Sequence, residues 1–424
     1  MASVHASEQL LFSILLQLIV MIGAARLMNS AFRAMGQPGV IGEIIAGLLL
    51  GPSLFGHIFP EASLALFGAK ASQPITMLSQ LGLILLMFQI GADFEFGHLR
   101  EARAKRAVGL IAIGSIAVPF ALGLWVGLAS AASVAPGINP LIYALFCGVA
   151  LAITAVPILG RILREFELTR TPIGVVAISA AAINDVVGWV MLACISAYAT
   201  SLFSGAFLLW RLLAIGLLLA GMRFVGSPLV DRLLRRYPLV DGRIPPNLMA
   251  ATFCIMFALA IVTFKIGIFA IFGGFAAGLL FHRHTAFVEA WNRQVGYFTL
   301  VFFLPVFFTF TGLRTNLLGL TPSDLGLLLL VLAAAIGGKI IPVFFASRAS
   351  GFNTHESSIL AALMNTRALM ELIVLNIGYD LGFLPQSMFT MLVVMAVVTT
   401  LMTGPLLRWL LPRVGHVVLR PAEA

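Results

Sequence analysis

Apolar residues form about thirteen long segments along the chain, and polar residues are concentrated in the short stretches between them. Most of these segments reach the roughly 20 residues that an α-helix needs to cross the hydrocarbon core of a membrane. The leader before the first segment carries no Lys or Arg, so that segment lacks the charged region of a signal peptide. The pattern predicts transmembrane helices over 8–28, 38–56, 74–93, 106–130, 140–163, 171–200, 207–226, 247–265, 268–282, 295–316, 323–348, 356–378 and 385–412.

The composition supports this prediction, because 60% of the 424 residues are hydrophobic and only 10% are charged. The mean hydropathy of +1.05 is too high for a soluble domain, which could not bury so much apolar surface. We therefore expect an all-α polytopic membrane protein in contact with the lipid bilayer. The three cysteines lie inside apolar segments and are interpreted as packing residues, without a disulfide or metal role.

Basic residues alternate between the loops. Twenty of the 26 Lys and Arg residues fall on one side of the predicted bundle, whereas Lys70, Lys265 and Arg314 fall on the other. Basic loops mark the cytoplasmic face, so the N-terminus is predicted outside and the C-terminus in the cytoplasm. The net charge of +9 then reflects topology, and no nucleic-acid partner is expected.

Thirteen helices can be divided into two repeats of six helices joined by one linker helix, which inverts the second repeat. Inverted repeats of this kind are common in secondary transporters. The predicted division is a first repeat over 1–206, a linker helix over 207–226 and a second repeat over 247–424, with no soluble regulatory domain. GEIIAGLLLG at 42–51 and GGFAAGLLFH at 273–282 give modest support, since each lies in the second helix of its half.

Two helices at matching positions of the halves carry interruptions. In AITAVPILGR (152–161), Pro157 cannot donate a backbone hydrogen bond, and Thr154 stands just before it. The corresponding helix, AALMNTRALMELIVLNIG (361–378), contains Asn365, Thr366, Arg367 and Glu371. Interrupted or polar segments in corresponding helices indicate a binding site near the middle of the membrane. We predict two broken helices that cross there.

Asp185 lies at the middle of the apolar segment 171–200, in the sequence AAINDVVGWV. A carboxylate at this depth costs roughly 2.5–3.5 kcal/mol on insertion scales and usually serves an ion or proton path. This interpretation is favoured over a salt bridge that only joins two helices. The adjacent Asn184 cannot titrate, and two roles stay open for it: an oxygen ligand for an ion, or a brace for the broken helix.

Other charges lie in the predicted helices. Lys339 is interpreted as the counter-ion of a buried acid. Arg367 and Glu371 are spaced i, i+4, and are expected to pair on one helix face. Glu43 lies near the cytoplasmic end of the second helix and is expected to be a proton-path group or the partner of a loop arginine.

Several motifs together resemble those of the monovalent cation:proton antiporters of family 2, in the branch of the plant cation/proton exchangers and their bacterial relatives. The resemblance extends over nearly the whole chain. It is carried by GQPGVIGEIIAGLLLGPS (36–53), LGLILLMFQIGADFE (81–95), AITAVPILGRIL (152–163), AINDVVGW (182–189), FFTFTGLRTNL (307–317) and NTRALMELIVLNIGYDLG (365–382).

The resemblance implies the sodium/proton antiporter fold, with a core domain that moves like an elevator and a second domain that forms a homodimer. It implies that Asp185 binds the cation and the proton, that Thr154 contributes a ligand, and that Lys339 pairs with the core acids. The Asn-Asp pair at 184–185 implies electroneutral exchange, one cation for one proton.

The sequence therefore predicts a secondary antiporter that exchanges Na⁺ or K⁺ for H⁺ without a cofactor and serves pH homeostasis, in a bacterial inner membrane. The choice between Na⁺ and K⁺ stays open. The alternative is a transporter of an organic solute on the same scaffold, which needs a wider polar cavity. An enzyme is not expected, because the chain carries no HExxH motif and no Ser–His or Cys–His dyad at membrane depth.

Overall fold

The computed structural model describes residues 2–93, 102–168, 171–200, 205–267 and 269–414, and these residues are almost entirely helical. The first half contains α1 (Ala2–Ala34), α2 (Gly39–Leu50), α3 (Phe55–Ile58), α4 (Pro60–Phe67), α5 (Ala69–Ala92), α6 (Ala102–Val134), α7 (Pro140–Ala152), α8 (Val156–Glu165) and α9 (Pro172–Thr200). The second half contains α10 (Gly205–Gly221), α11 (Ser227–Arg236), α12 (Pro246–Ile266), α13 (Ala270–Phe281), α14 (Thr285–Trp291), α15 (Leu304–Leu313), α16 (Pro322–Ala349), α17 (Thr354–Met364), α18 (Leu369–Asp380) and α19 (Gln386–Leu410). Short π-helical turns lie at Met222–Gly226, Asn292–Gly296 and Thr299–Phe303.

Every predicted membrane segment overlaps a helix, and the all-α class is confirmed. Among the described residues, ten helices are long and apolar enough to cross a membrane, or up to eleven if the pair Thr285–Gly296 and Thr299–Leu313, bent by 42°, forms one span. Pro140–Ala152 and Ala270–Phe281 are apolar but shorter. The number of thirteen crossings stays a prediction.

The chain divides into two compact units, each built from separate stretches of sequence. The first unit consists of Met1–Ile22, Leu66–Glu95 and Ala193–Phe310; the second consists of Gly23–Ala65, Phe96–Leu192 and Thr311–Ala424. Both units take residues from both halves of the chain. The units therefore do not follow the predicted repeat boundaries, and the inverted repeat stays a prediction.

In the first unit, α13 packs directly on the backbone of α5. A Cβ atom at Gly274 or Gly278 would collide with the carbonyl oxygens of Ile84 and Phe88. Small residues permit such close approach between membrane helices, where packing replaces the hydrophobic effect as the driving force. The glycines of the GGFAAG segment thus have a local packing role.

In the second unit, α6 packs on α7, and Gly123 and Gly127 allow the close approach. A Cβ at Gly123 would lie 2.6 Å from the carbonyl oxygen of Cys147, and one at Gly127 would lie 2.5 Å from the Cα of Ala144. This contact holds α7 against α6 along its length. It fixes the position of the C-terminal end of α7, where the first interruption occurs.

Asparagine side chains cap the N-terminal ends of α7 and α17. The Oδ1 atom of Asn139 accepts a hydrogen bond from the backbone N–H of Leu141 at 3.0 Å. Asn353 and Glu356 form a reciprocal capping box, with hydrogen bonds of 2.8 and 2.9 Å. These caps satisfy backbone donors that a helix start leaves unpaired, so the start of each of these two helices is well defined.

Candidate functional site

Two interrupted helices of the second unit meet at their breaks. The helical hydrogen bonding of α7 stops at Ala152 and α8 begins at Val156, while α17 stops at Met364 and α18 begins at Leu369. The backbone N–H of Ala155 donates to the carbonyl oxygen of Thr366 at 3.3 Å, which joins the two breaks directly. Both interruptions predicted from the sequence are present.

The local sequence explains each break. Pro157 is the second residue of α8, where a missing N–H interrupts no helical hydrogen bond. In the second break, Ala368 has a φ of 93°, in a region that non-glycine residues rarely occupy. The strained backbone is held by surrounding contacts, as is common at functional sites.

Asn184 binds the backbone of the first break with both ends of its amide. Its Oδ1 accepts a hydrogen bond from the N–H of Thr154 at 3.1 Å, and its Nδ2 donates to the carbonyl oxygen of Ala152 at 3.2 Å. The Nδ2 atom also donates to the Oγ of Ser115 at 3.1 Å. Of the two roles left open by the sequence, this geometry favours the brace over the ion ligand.

The side chain of Thr154 also connects the two breaks. Its hydroxyl donates to the carbonyl oxygen of Met364 at 3.3 Å, and the residue is completely buried. Met364 is the last residue of α17, so its carbonyl has lost its helical donor. Thr154 therefore lies at the contact between the breaks, where its hydroxyl oxygen is close to a freed backbone carbonyl.

Asp185 lies in α9, next to Asn184, and is only 3% exposed. Within the described part of the chain, neither of its carboxylate oxygens accepts a hydrogen bond. The N–H of Val156, at the beginning of α8, is near enough to interact with the carboxylate electrostatically, without the geometry of a hydrogen bond. The N-terminal end of a helix favours negative charge, so α8 contributes to the stability of an ionised Asp185.

Lys339 lies in α16 and is fully buried. Its Nζ donates to the carbonyl oxygen of Ser115 at 2.7 Å and to that of Ala152. It is also close enough to Asp185 and Glu371 for direct electrostatic attraction. Its hydrogen bonds in the structure go to backbone carbonyls, and its role as the counter-ion of a buried acid stays a prediction.

Arg367 and Glu371 interact electrostatically, but they do not share the face of one continuous helix, as their i, i+4 spacing predicted. Arg367 precedes the start of α18, and its Nη1 donates to the carbonyl oxygen of Ala150 at 2.9 Å. That carbonyl is available because the N–H of Thr154, its donor in a continuous helix, binds Asn184 instead. Glu371 is fully buried, and among the described residues neither of its oxygens accepts a hydrogen bond. It interacts with Arg367 and Lys339 only electrostatically.

Glu43 has partners on α1. Its Oε1 accepts a hydrogen bond from the Nδ2 of Asn29 at 2.6 Å and lies 4.0 Å from the Nη1 of Arg26. Glu43 therefore has an arginine partner, which lies in α1 and not in a loop, and its role in a proton path stays a prediction. Glu43 itself is buried, with 3% exposure.

Sequence reasoning missed the residues that support the breaks from neighbouring helices. Ser115 of α6 contacts both Asn184 and Lys339. On α19, the hydroxyl of Thr400 accepts from the N–H of Arg367 at 3.2 Å, and Thr403 lies 3.3 Å from the hydroxyl of Thr366. The threonine run TTLMT at 399–403 is a polar signal in an otherwise apolar helix that could have indicated this role.

Residues 18–413 match the model of the transmembrane sodium/hydrogen exchangers. The chain belongs to the sodium/hydrogen exchanger family. It is therefore an integral membrane protein of a family of cation/proton antiporters.

Individual members of the sodium/hydrogen exchanger family resemble the chain over most of its length. It is 38% identical over 411 residues to the Na⁺/H⁺ antiporter NhaS4 of Synechocystis sp., covering 96% of this chain and 99% of that protein. It is 37% identical over 394 residues to cation/H⁺ antiporter 18 of Arabidopsis thaliana, covering 92% of this chain and 48% of that protein. The chain thus spans about half the length of this plant relative and nearly all of the cyanobacterial one.

The solved structure of the sodium proton antiporter MjNhaP1 from Methanocaldococcus jannaschii has the same fold. Its TM-score is 0.63 at 15% sequence identity, and the match covers 94% of this chain and 96% of that one. The antiporter fold predicted from the sequence is therefore confirmed.

Proposed function

We propose that this protein exchanges a monovalent cation, Na⁺ or K⁺, for H⁺, and that Asp185 is the group that binds both. The observation that carries the proposal is the buried Asp185 carboxylate, which accepts no hydrogen bond from the described residues and lies beside the first break. A carboxylate in this environment gains from binding either a proton or a cation, because either one neutralises its charge. Relatives named as Na⁺/H⁺ and K⁺/H⁺ antiporters support the same function.

The exchange cycle follows from competition at one carboxylate. The cation is bound by Asp185, with the hydroxyl of Thr154 and carbonyl oxygens of the breaks as further oxygen ligands. A proton then displaces it on the other side of the membrane. Asn184 braces the first break and is not a ligand in this proposal, because its amide already binds Thr154, Ala152 and Ser115.

The other ionisable groups of the site lie close to Asp185. Lys339, Arg367 and Glu371 form with it one cluster of buried groups that interact electrostatically. If Asp185 alone changes its occupant, the cluster has the same net charge with a bound proton as with a bound monovalent cation. Exchange is then electroneutral, with one cation for one proton.

The breaks and this charge cluster belong to the second compact unit. We propose that this unit carries the site between the two faces of the membrane, as an elevator, in a homodimer. The basic loops support an N-terminus outside and a C-terminus in the cytoplasm of a bacterial inner membrane. Glu43, near the cytoplasmic end of its helix, is proposed as a supporting charge that stabilises α1 against α2 through Asn29.

Ion-driven proton movement in proteoliposomes tests the proposed function. Na⁺, K⁺ and Li⁺ are added in turn to vesicles that hold a pH-sensitive dye, and the initial rate is compared with protein-free vesicles. Proton movement with Na⁺ or K⁺ is expected and identifies the coupled ion. The absence of a response to every ion would contradict the proposal and would favour the organic-solute transporter.

Electroneutral exchange predicts that an imposed membrane potential leaves the rate unchanged. The same proteoliposomes are assayed at about 0 and about 100 mV, where a single uncompensated charge would gain about 2.3 kcal/mol of driving free energy. Equal initial rates at both potentials are expected. A rate that follows the potential would show that a second group, such as Lys339, also exchanges its proton.

A further inference from the structure

Pro119 lies inside α6, four residues after Ser115, and is buried. In a continuous helix, the N–H of residue 119 would donate to the carbonyl oxygen of residue 115. Proline has no N–H, so it leaves the carbonyl of Ser115 without this donor. In the hydrocarbon core such a carbonyl requires another partner, because water is absent.

Lys339 supplies that partner. Its Nζ donates to the carbonyl oxygen of Ser115 at 2.7 Å and also to the carbonyl of Ala152. Ala152 is the last residue of α7, so its carbonyl also lacks a donor from a following helical turn. Two separate irregularities of the backbone, a proline and a break, thus leave two carbonyls that bind the same ammonium group.

The packing of α6 on α16 allows this contact. A Cβ at Gly338, the residue before Lys339, would lie 3.3 Å from the Cα of Pro119 and 2.8 Å from the Cδ1 of Leu122. In the same helix pair, a Cβ at Gly114 would lie 3.5 Å from the Cβ of Pro342. Each helix therefore places a glycine against the proline of the other, and the backbones approach closely at the level of Lys339.

We propose that Pro119 is a positioning residue for cation/proton exchange, which holds the ammonium of Lys339 on the Ser115 carbonyl and away from Asp185. The inference rests on the proposed function of Asp185. If residue 119 regained an N–H, the Ser115 carbonyl would pair within α6. Lys339 would then lose one of its two acceptors, and Asp185 is a carboxylate within its electrostatic reach. A cation would have to compete with the ammonium for that carboxylate.

Pro119→Ala and Pro119→Gly test this proposal, because both restore the N–H but differ in helix propensity. Apparent cation affinity is measured on purified protein in detergent, from the thermal stabilisation by NaCl and by KCl at constant ionic strength, so that no transport activity is needed. Both variants are expected to bind the coupled cation about tenfold more weakly than the wild type, the size of one hydrogen bond to a charged group.

Removing the ammonium group of Lys339 shows whether Pro119 acts by positioning that group or has only a structural role. In a Lys339→Met background, Pro119→Ala is expected to change the cation affinity by less than about twofold, the ordinary additivity error. Pro342→Ala serves as the matched control, because it removes the other proline of the same packed pair, and it is expected to leave the cation affinity unchanged. Lys339→Gln replaces Lys339→Met if the latter is not monodisperse.

Two results would overturn the inference. One is an unchanged cation affinity in both Pro119 variants. The other is an equal weakening with and without Lys339, which would make Pro119 a structural residue only. Failure of the proposed function is separable from both. In that case, the wild type would show no stabilisation by cations, or the stabilisation would persist in Asp185→Asn.

Discussion

Asp185→Asn is expected to lower the rate of cation-driven proton movement by about 100-fold or more while the protein still folds. Asparagine keeps the shape of the side chain but carries neither a negative charge nor an exchangeable acidic proton. The loss of about 3 kcal/mol of electrostatic attraction between the carboxylate and the cation corresponds to about two orders of magnitude in rate. The initial rate in proteoliposomes measures the effect, and size-exclusion chromatography verifies the fold.

Glu43→Gln is the matched control for this substitution. Glu43 is also a buried carboxylate at 3% exposure, but its Oε1 already accepts a hydrogen bond from Asn29. A glutamine can accept the same bond, so this variant is expected to retain cation-driven proton movement. Exchange that survives in Asp185→Asn and disappears in Glu43→Gln would show that Glu43, and not Asp185, is the exchange group.

Arg367→Gln is expected to destabilise the protein by about 3–5 kcal/mol, the usual cost of removing one partner from a buried set of charges. The guanidinium is fully buried, and it donates to the carbonyl oxygens of Ala150 and Ala335 at 2.9 and 3.3 Å. Its loss leaves these acceptors unsatisfied and removes the positive charge beside Glu371. The measurement is thermal unfolding in detergent, compared with the wild type at the same pH.

Two further variants test whether the destabilisation comes from the loss of a buried charge or from the loss of any arginine. Arg314→Gln removes an ion pair with Asp380, whose side chain is 44% exposed, and should cost at most about 1 kcal/mol. Adding Glu371→Gln to Arg367→Gln should recover part of the lost stability, because it removes the uncompensated carboxylate. Equal destabilisation by Arg314→Gln and Arg367→Gln would contradict the role assigned to Arg367.

The sequence predicted the helices well because of a simple physical constraint. In lipid, backbone groups must be satisfied within the helix, so a long apolar run has few alternatives to an α-helix. The same constraint made the exceptions visible. Pro157 and the polar cluster at 365–371 indicated the two breaks, and Asp185 was conspicuous because a carboxylate at this depth is costly.

The sequence failed where a prediction assumed a continuous helix. The i, i+4 rule placed Arg367 and Glu371 on one face, but α18 begins only at Leu369. Arg367 therefore belongs to the break and binds a carbonyl of α7. Contacts of this kind are difficult to predict, because every residue has a backbone carbonyl and the side-chain sequence does not show which one an arginine binds. Pro119 is an exception to this difficulty. A proline inside a helix identifies the carbonyl that loses its helical donor, which here is that of Ser115.

The division into two compact units could not be predicted from the sequence either. Hydrophobic periodicity finds helices one at a time and contains no information about which of them pack together. The first unit combines α5 with α12 and α13, which are separated by more than 150 residues of chain. The glycines that permit this contact, such as Gly274 and Gly278, are recognisable in the sequence, but their partner helix is not.

The number of protons released for each cation bound measures the competition of proton and cation at Asp185. Purified protein in weakly buffered detergent solution is titrated with the coupled cation, and the released protons are counted with a pH indicator. At a pH where Asp185 is protonated, we expect the release of one proton per cation, with an apparent cation affinity that falls about tenfold for each unit of lower pH. Asp185→Asn should release none. Cation binding without proton release, or a release that persists in Asp185→Asn, would contradict competition at this carboxylate.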